Sequence, residues 1–569
     1  MTLAFFRRAL VLVVLTMFAG PLLPSIGGQG RQHSEHAAVS RLSATPGETR
    51  AEHALEAAKK AGKPELYALL KNMPKGADLH MHLSGAVYAE TFIAEAARQG
   101  LCVAPADVGT PAVPQGQNAL RFIAPQHNKP NDCASGQLPA ADALTRQPLY
   151  DDLIDSFSMR AFVPTEGIDG HDQFFATFDR FGGLKNVQGE WLDEVATRAA
   201  AQNEQYLEVM STPPFSHAAA LGYKLGWPAD ITDGDYRAEF AKLREQLLTA
   251  GLRDEVTTDR DELASAQRQR RILERCETDA DAVAEHLTSR NGIPENGYEP
   301  SCSVHIRWIY QILRGFPPQQ VFAQTLLGFE VAFANPDVVG INFVRAEDWS
   351  GPMAEYHTEM LMLDYLHSVY PKVHITLHAG ELAPGMVPPA GLSFHIREAV
   401  ELGHAERIGH GVDILHEDHP YDLLHKMAQK HIMVEVNLTS NDVLLGIKGS
   451  DHPLHAYIAA HVPFALSTDD EGVSRIDLTH EYVKAVLEQN LDYAQLKQSA
   501  RASLEHSFLP GASLFTTPDD FTHRRQACPA STLKNTPSPT CKAFLGSSEK
   551  AAQQYELERR FTAFESLIH

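Results

Sequence analysis

Basic residues are in deficit. The 569-residue chain has 49 lysines and arginines against 72 aspartates and glutamates, a formal net charge of −23. A nucleic-acid partner needs a basic footprint, so that class is excluded. Cysteine is sparse: six in all, none in a CxxC pair. Zinc-finger and thioredoxin readings fall away with it. The apolar run from Ala9 to Phe18 is too short for a comfortable transmembrane helix. Preceded by Arg7 and Arg8, it has the form of a secretory signal, with an uncleaved anchor as the alternative. It holds no cysteine, so no lipid-attached N-terminus is expected. No clean A-x-A site marks the cleavage point. No internal repeat and no long low-complexity tract is present.

An export signal implies an oxidising compartment, periplasmic or extracellular, with no stable membrane insertion once the segment is removed. The cysteines fall into three neighbouring pairs. Pairing neighbours gives Cys102–Cys133, Cys276–Cys302 and Cys528–Cys541, one of fifteen connectivities that six cysteines allow. Free buried thiols are the bland alternative.

At 44% hydrophobic the chain can bury a large core. Residues 1–28 are read as the signal, 29–74 as an N-terminal helical extension, and 511–569 as a C-terminal loop and helix. Between them, residues 75–510 alternate apolar strand-like runs with helical patterns. The runs are "GADLHMH", "EQYLEVMST" (204–212), "SVHIRWIYQI" (303–312), "VVGINFV" (338–344), "VHITLHAGE" (373–381), "RIGHGVDI" (407–414), "HIMVEVNLTSN" (431–441) and "PFALSTDDEG" (463–472). Eight such units predict an α/β fold, a closed (β/α)₈ TIM barrel with extra N- and C-terminal helices. The competing architecture is an open doubly wound sheet. Inserts are expected near 101–150, as loop rather than core, and near 213–302. Phe174, Phe175, Phe178 and Phe181 recur at helical spacing and read as core packing, not a binding box. Residues 516–546 read as loop. In the final segment Leu557, Phe561, Phe564 and Ile568 line the apolar face of an amphipathic helix.

Polar residues gather at the ends of these strands. Alternate residues of a strand share a side, so His80 and His82 point the same way. His378 and Glu381 follow the fifth run, His410 ends the sixth between two glycines, and Asp469 and Asp470 end the eighth. In a barrel these ends converge on one face. Three imidazoles and a carboxylate suit Zn²⁺ with room for a water, so His80, His82, His378 and Asp469 are the expected ligands of one ion. Zinc makes water a nucleophile near neutral pH. His410 would orient or deprotonate that water, and Glu381 would hand a proton to the substrate. The chemistry is hydrolytic attack on an electron-poor carbon.

The motifs "GADLHMHLSGA", "LHAGE", "RIGHG" and "STDD", in this order, resemble the adenosine deaminase family of the amidohydrolase superfamily. The signal and extra cysteines resemble its secreted, growth-factor-related branch. The likeness covers most of residues 75–500. It implies a purine nucleoside as small-molecule partner, zinc on the four residues above, proton transfer from Glu381 to purine N1, and a bond from Asp470 to N7. It allows a homodimer without requiring one.

Two positions depart from the family pattern. Ser84 stands where an aspartate often contacts the sugar, and Arg345 stands where a glycine amide meets the purine. Both are expected substrate-binding positions that alter specificity and leave the metal chemistry intact. Glu347 and Asp348 read as helix-start or loop residues. The expected reaction is deamination of adenosine or 2′-deoxyadenosine to inosine or 2′-deoxyinosine and ammonia. The alternatives are deamination of a modified or phosphorylated adenosine, and an inactive secreted binding or signalling protein on the same fold.

Overall fold

The computed structural model describes residues 45–106, 119–165, 167–185, 187–228, 231–276, 300–534 and 537–568. The signal segment lies outside the described residues. Residues Thr45–His569 belong to one unit. Eight parallel strands form its centre: β1 (Gly76–His82), β2 (Glu204–Ser211), β3 (His305–Leu313), β4 (Val338–Val344), β5 (His374–Ala379), β6 (Arg407–His410), β7 (Met433–Val436) and β8 (Phe464–Leu466). They are paired in that order. Their β-branched and apolar residues suit strands buried on both faces.

The ends of this sheet meet. Met81 on β1 bridges in parallel to Asp469, just past β8. The Asp469 N–H donates to the His80 carbonyl at 2.8 Å, and the His82 N–H donates to the Asp469 carbonyl at 3.2 Å. Deeper in, the Asp78 carboxylate accepts from the Thr468 N–H and hydroxyl at 3.1 and 2.6 Å. These contacts close the sheet into a (β/α)₈ barrel and overturn the open-sheet alternative.

The late strands are shorter than their apolar runs suggest. β6 ends at His410 and β8 at Leu466. His410 and Asp469 adopt φ of 67° and 61°, which breaks the extended chain. Their side chains turn into the barrel mouth instead of continuing the ladder.

Helices wrap the outside. Helix Pro46–Ala61 begins with a Thr45–Glu48 capping box and Pro46 in its first turn. With Lys63–Asn72 it packs Leu55, Leu66 and Leu70 into the main hydrophobic cluster. Residues 213–276 are largely helical, with Phe240 stacked 5.0 Å from Phe322 of helix Pro318–Ala334. The 101–150 insert is more than loop. Strands Cys102–Pro105, Leu120–Ile123 and Leu138–Pro139 form a small antiparallel sheet. Val103, Phe122, Ala140 and Leu149 join a second hydrophobic cluster with Phe92, Phe174 and Phe181. The polar composition of the insert hid these few alternating apolar positions. Within 516–546 a short helix, Pro539–Gly546, also forms. The last helix, Glu549–Leu567, buries Leu557, Phe561 and Phe564. Among the described residues no helix is long and apolar enough to cross a membrane.

All three expected disulfides are present: Cys102–Cys133, Cys276–Cys302 and Cys528–Cys541. They lie in the inserts and the C-terminal segment. Loops of this size contribute about 2–4 kcal/mol each when closed. Reduction should lower the melting temperature, followed by circular dichroism, and leave the far-ultraviolet spectrum unchanged at low temperature. An unchanged melt would show that the bridges carry no stability.

Candidate active site

The site is built from the strand β1 upward. Leu79 and Met81 face outward into the main hydrophobic cluster. The alternate residues His80 and His82 therefore face the barrel interior. There His80 Nε2 lies 3.1 Å and His82 Nε2 3.2 Å from His378 Nε2 at the end of β5. Asp469 Oδ1 lies 3.5 Å from His80 Nε2 and 3.2 Å from His82 Nε2. All four expected ligand residues thus converge, and all are buried.

Each imidazole is held from behind. His80 Nδ1 meets Glu435 Oε2 at 2.6 Å, His82 Nδ1 meets Gln311 Oε1 at 2.9 Å, and His378 Nδ1 meets Asn342 Oδ1 at 2.9 Å. Asn342 Oδ1 also accepts the His378 backbone N–H at 3.2 Å, which fixes it as the acceptor. An acceptor at Nδ1 places the ring proton there and leaves a lone pair on Nε2. Three nitrogen lone pairs and a carboxylate oxygen this close repel one another unless positive charge lies among them. Three imidazoles and one carboxylate are a donor set that fits zinc.

Glu435 is itself buried. Arg407 donates to it through Nε at 2.6 Å and to Glu208 through Nη1 at 2.6 Å, and Thr376 adds a hydroxyl at 2.9 Å. Burial opposes its charge, but Arg407 and His80 hold its pKa at about 2. A fixed anion behind His80 makes that ring a stronger donor. Sequence reading missed Glu435, Gln311 and Asn342. A glutamate inside the apolar run "IMVEV" was a usable signal; Gln311 and Asn342 had none, because an amide in a strand is common.

Glu381, His410 and Asp470 surround the cluster. Glu381 is buried, and burial with the charges of Asp469 and Glu347 pushes its pKa well above the ordinary carboxylate range. Its backbone N–H donates to Glu347 Oε2 at 2.6 Å. Glu347 does sit in a loop, yet it is buried and braces the Glu381 turn. Asp348 pairs with His171 at 3.1 Å. The His410 ring lies 4.9 Å from that of His80 and 5.3 Å from that of His378. Burial keeps it neutral, with a pKa of about 3. Asp470 is pushed up to about 8 by burial and by its neighbour Asp469. Two glycines make this crowding feasible. A Cβ on Gly85 would fall 1.4 Å from Asp470 Oδ1, and one on Gly409 would fall 2.5 Å from His80 Cε1.

A cleft opens over the cluster, with Ser84, Arg345, Glu381 and Asp470 on its wall. Every expected site residue is therefore at the cluster or on this cleft. The phenylalanine stripe needs a correction. Phe174 and Phe181 are core, but Phe174, Phe175 and Phe178 also line the cleft. Helix Gly170–Arg180 lies across the barrel mouth, so one apolar stripe serves both sides. Arg345 has φ 112°, a conformation that favours glycine. Arg314, fully buried, donates to the Arg345 carbonyl through Nε and Nη2 at 3.2 and 3.1 Å and holds it there.

The family model for adenosine deaminase matches residues 192–514, more than half of the chain. The chain belongs to the adenosine deaminase family. It is 35% identical over 135 residues to the adenosine deaminase of Clostridium perfringens (strain 13 / Type A), covering 24% of this chain and 37% of that protein. With the adenosine deaminase of Salmonella heidelberg (strain SL476) it shares 39% over 137 residues, 24% and 38% of the two chains. The match thus spans under two fifths of these relatives' length. Among solved structures, the N6-methyl-AMP deaminase of Arabidopsis thaliana is 20% identical, with a TM-score of 0.42 over 78% of this chain and 94% of that one. The adenine deaminase of Arthrobacter aurescens is 17% identical, with a TM-score of 0.40 over 77% and 94%.

The adenosine deaminase family match begins after β1, so His80 and His82 join the site through the fold rather than through that match. Within it lie His378, Glu381, His410, Asp469 and Asp470.

The support behind His80 is testable. Losing such a partner costs about 10–100-fold in metal affinity. Glu435→Gln should therefore weaken zinc binding by about that factor, measured by competition with a chelator, with the fold retained. Unchanged affinity would show that the carboxylate does not tune His80.

Proposed function

We propose that this protein is a zinc-dependent hydrolase that deaminates adenosine and 2′-deoxyadenosine. The observation that carries the reading is the convergence of four zinc-type donors beside Glu381, a carboxyl whose pKa burial raises, at the mouth of an adenosine deaminase family barrel. His80, His82, His378 and Asp469 would hold a zinc ion, which would supply a hydroxide nucleophile at neutral pH. Glu381, kept protonated by its buried surroundings, gives its proton to N1 as oxygen adds to C6 of the purine. The C6–N6 bond then breaks, ammonia leaves with a proton, and a carbonyl remains at C6. Water contributes the oxygen and both protons: its hydroxyl proton passes through the Glu381 carboxylate to the departing ammonia, and the proton lost on forming hydroxide restores the carboxyl for the next turnover. Asp470, also protonated near neutral pH, donates to the N7 lone pair. His410, beside the donor cluster, would meet the attacking oxygen, and Ser84, on the cleft wall, would meet the sugar. The three disulfides and the N-terminal signal-like segment support work outside the cytoplasm, as in the secreted growth-factor-related branch.

Glu381 separates chemistry from binding. General acid help is worth about 10²- to 10⁴-fold. Glu381→Gln should lose about that much in kcat while keeping zinc and affinity for a purine analogue. His80→Ala should lose metal and activity together. Near wild-type turnover of adenosine by Glu381→Gln would place the acid elsewhere.

One observation favours a second reading, an anionic adenosine derivative as substrate. The Arg345 guanidinium makes no ion pair among the described residues; its neighbour is the Trp349 ring, 5.8 Å away. It faces the cleft in a backbone conformation that costs about 1–3 kcal/mol for a residue with a Cβ. Arg345→Gly should raise stability by about 1 kcal/mol in a denaturant titration. It should also lower kcat/KM for adenosine 5′-monophosphate relative to adenosine. An unchanged substrate ranking would remove Arg345 from recognition.

A further inference from the structure

His410 sits at the end of a buried chain of hydrogen bonds that starts from a backbone amide. The Leu454 N–H lies 3.2 Å from His452 Nδ1. A backbone N–H can only donate, so His452 Nδ1 carries a lone pair and its ring proton is on Nε2. That Nε2–H faces Asn441 Oδ1 at 3.0 Å. The orientation of the Asn441 amide follows: its oxygen accepts from His452, and its Nδ2 points at His410 Nδ1, 2.9 Å away. A second amide nitrogen, Asn437 Nδ2, lies 3.5 Å from the same atom. His410 Nδ1 therefore accepts, and its single ring proton is on Nε2. Glu381 Oε1 also lies 3.5 Å from Nδ1. It is the farther neighbour, and a proton on Nδ1 would face two amide N–H groups. His410, Asn437, Asn441 and His452 are all buried, so water does not scramble the chain. His410 Nε2 is buried and has no hydrogen-bond partner among the described residues. A ring nitrogen of His410 lies within 4.8 Å of donor atoms of His80, His378 and Asp469.

We propose that Asn441 and His452 are positioning residues that lock His410 as the Nε2–H tautomer, so that it donates a hydrogen bond to the oxygen attacking the purine and does not take a proton from it. This rests on the deaminase reading and selects between the two roles open to His410. A neutral Nε2–H has no lone pair with which to act as a base. It can stabilise the attacking oxygen as hydroxide, and again the negative charge that returns to that oxygen as its proton is lost and ammonia departs; loss of one such donor costs about 10²–10³-fold in kcat.

The test swaps the polarity of the relay. Asn441→Asp replaces the amide donor by an acceptor and draws the His410 proton to Nδ1. Its kcat for adenosine should fall by about 10²–10³-fold, with KM and zinc content near wild type. His452→Gln, which can still accept from Leu454 and donate to Asn441, should keep most of the activity, whereas His452→Phe should not. Affinity for a tetrahedral hydroxylated purine analogue should drop in Asn441→Asp far more than affinity for a planar one. The proton itself is read by neutron diffraction from the wild-type protein or by ¹⁵N spectra of histidine-labelled protein. A proton on His410 Nδ1, or wild-type kcat in Asn441→Asp, would overturn the proposal. Failure of the wild type to deaminate any adenosine derivative would instead sink the deaminase reading, and the proton position would still decide the tautomer.

Discussion

The barrel closes through its own metal-type ligands. β1 and β8 do not share a long ladder; they are joined by the Met81–Asp469 bridge, two backbone hydrogen bonds between Asp469 and the His80 and His82 positions, and the Asp78–Thr468 contact beneath. Closing a parallel sheet leaves no unpaired edge. Here the closure also sets Asp469 Oδ1 against His82 Nε2. Register and ligand geometry are the same constraint. A one-residue slip at this seam would turn His80 and His82 out of the barrel.

Below the donor cluster, charge is buried in a form that is costly to remove piecemeal. Glu208, Arg407 and Glu435 come from three strands and link to His80. Removing one partner of a buried pair costs about 3–5 kcal/mol, because the other charge is left without compensation. The network adds little net stability over an apolar layer. Its value is orientation: it places a carboxylate behind one donor ring and ties that ring to the centre of the barrel.

Much of this was legible in the sequence, and the illegible part has a physical reason. The period-two pattern in "GADLHMH" and the polar ends of later apolar runs pointed to the four residues that converge, because side-chain direction in a strand is local. The cysteine pairs were legible because partners close in sequence are readily brought together. Gln311 and Asn342 were not, and Glu435 showed only as a charge out of place in an apolar run, since each acts on a histidine from a different strand. Glu347 read as a loop residue and is one; that its carboxylate caps the Glu381 amide depends on how two strand ends lie side by side. The phenylalanine stripe read as core because spacing reports which residues share a helix face, not what lies opposite that face.

Backbone strain ties the chemistry to the scaffold. His410, Asp469 and Arg345 each follow or end a barrel strand, and each has a positive φ without being glycine. Such conformations persist only where neighbours over-determine them. The braces differ in kind. Asp469 is held by the backbone bonds of the seam, His410 by an amide on the next strand's helix, and Arg345 by the buried guanidinium of Arg314. At His410 and Asp469 the strained bend swings a side chain needed at the cluster into the mouth, so residue type and backbone path are chosen together. At Arg345 the backbone path would be met more cheaply by glycine, and the bend does not require a guanidinium. The side chain instead stands on the cleft wall beside the Trp349 ring, so at this position the backbone path and the residue type answer to different demands.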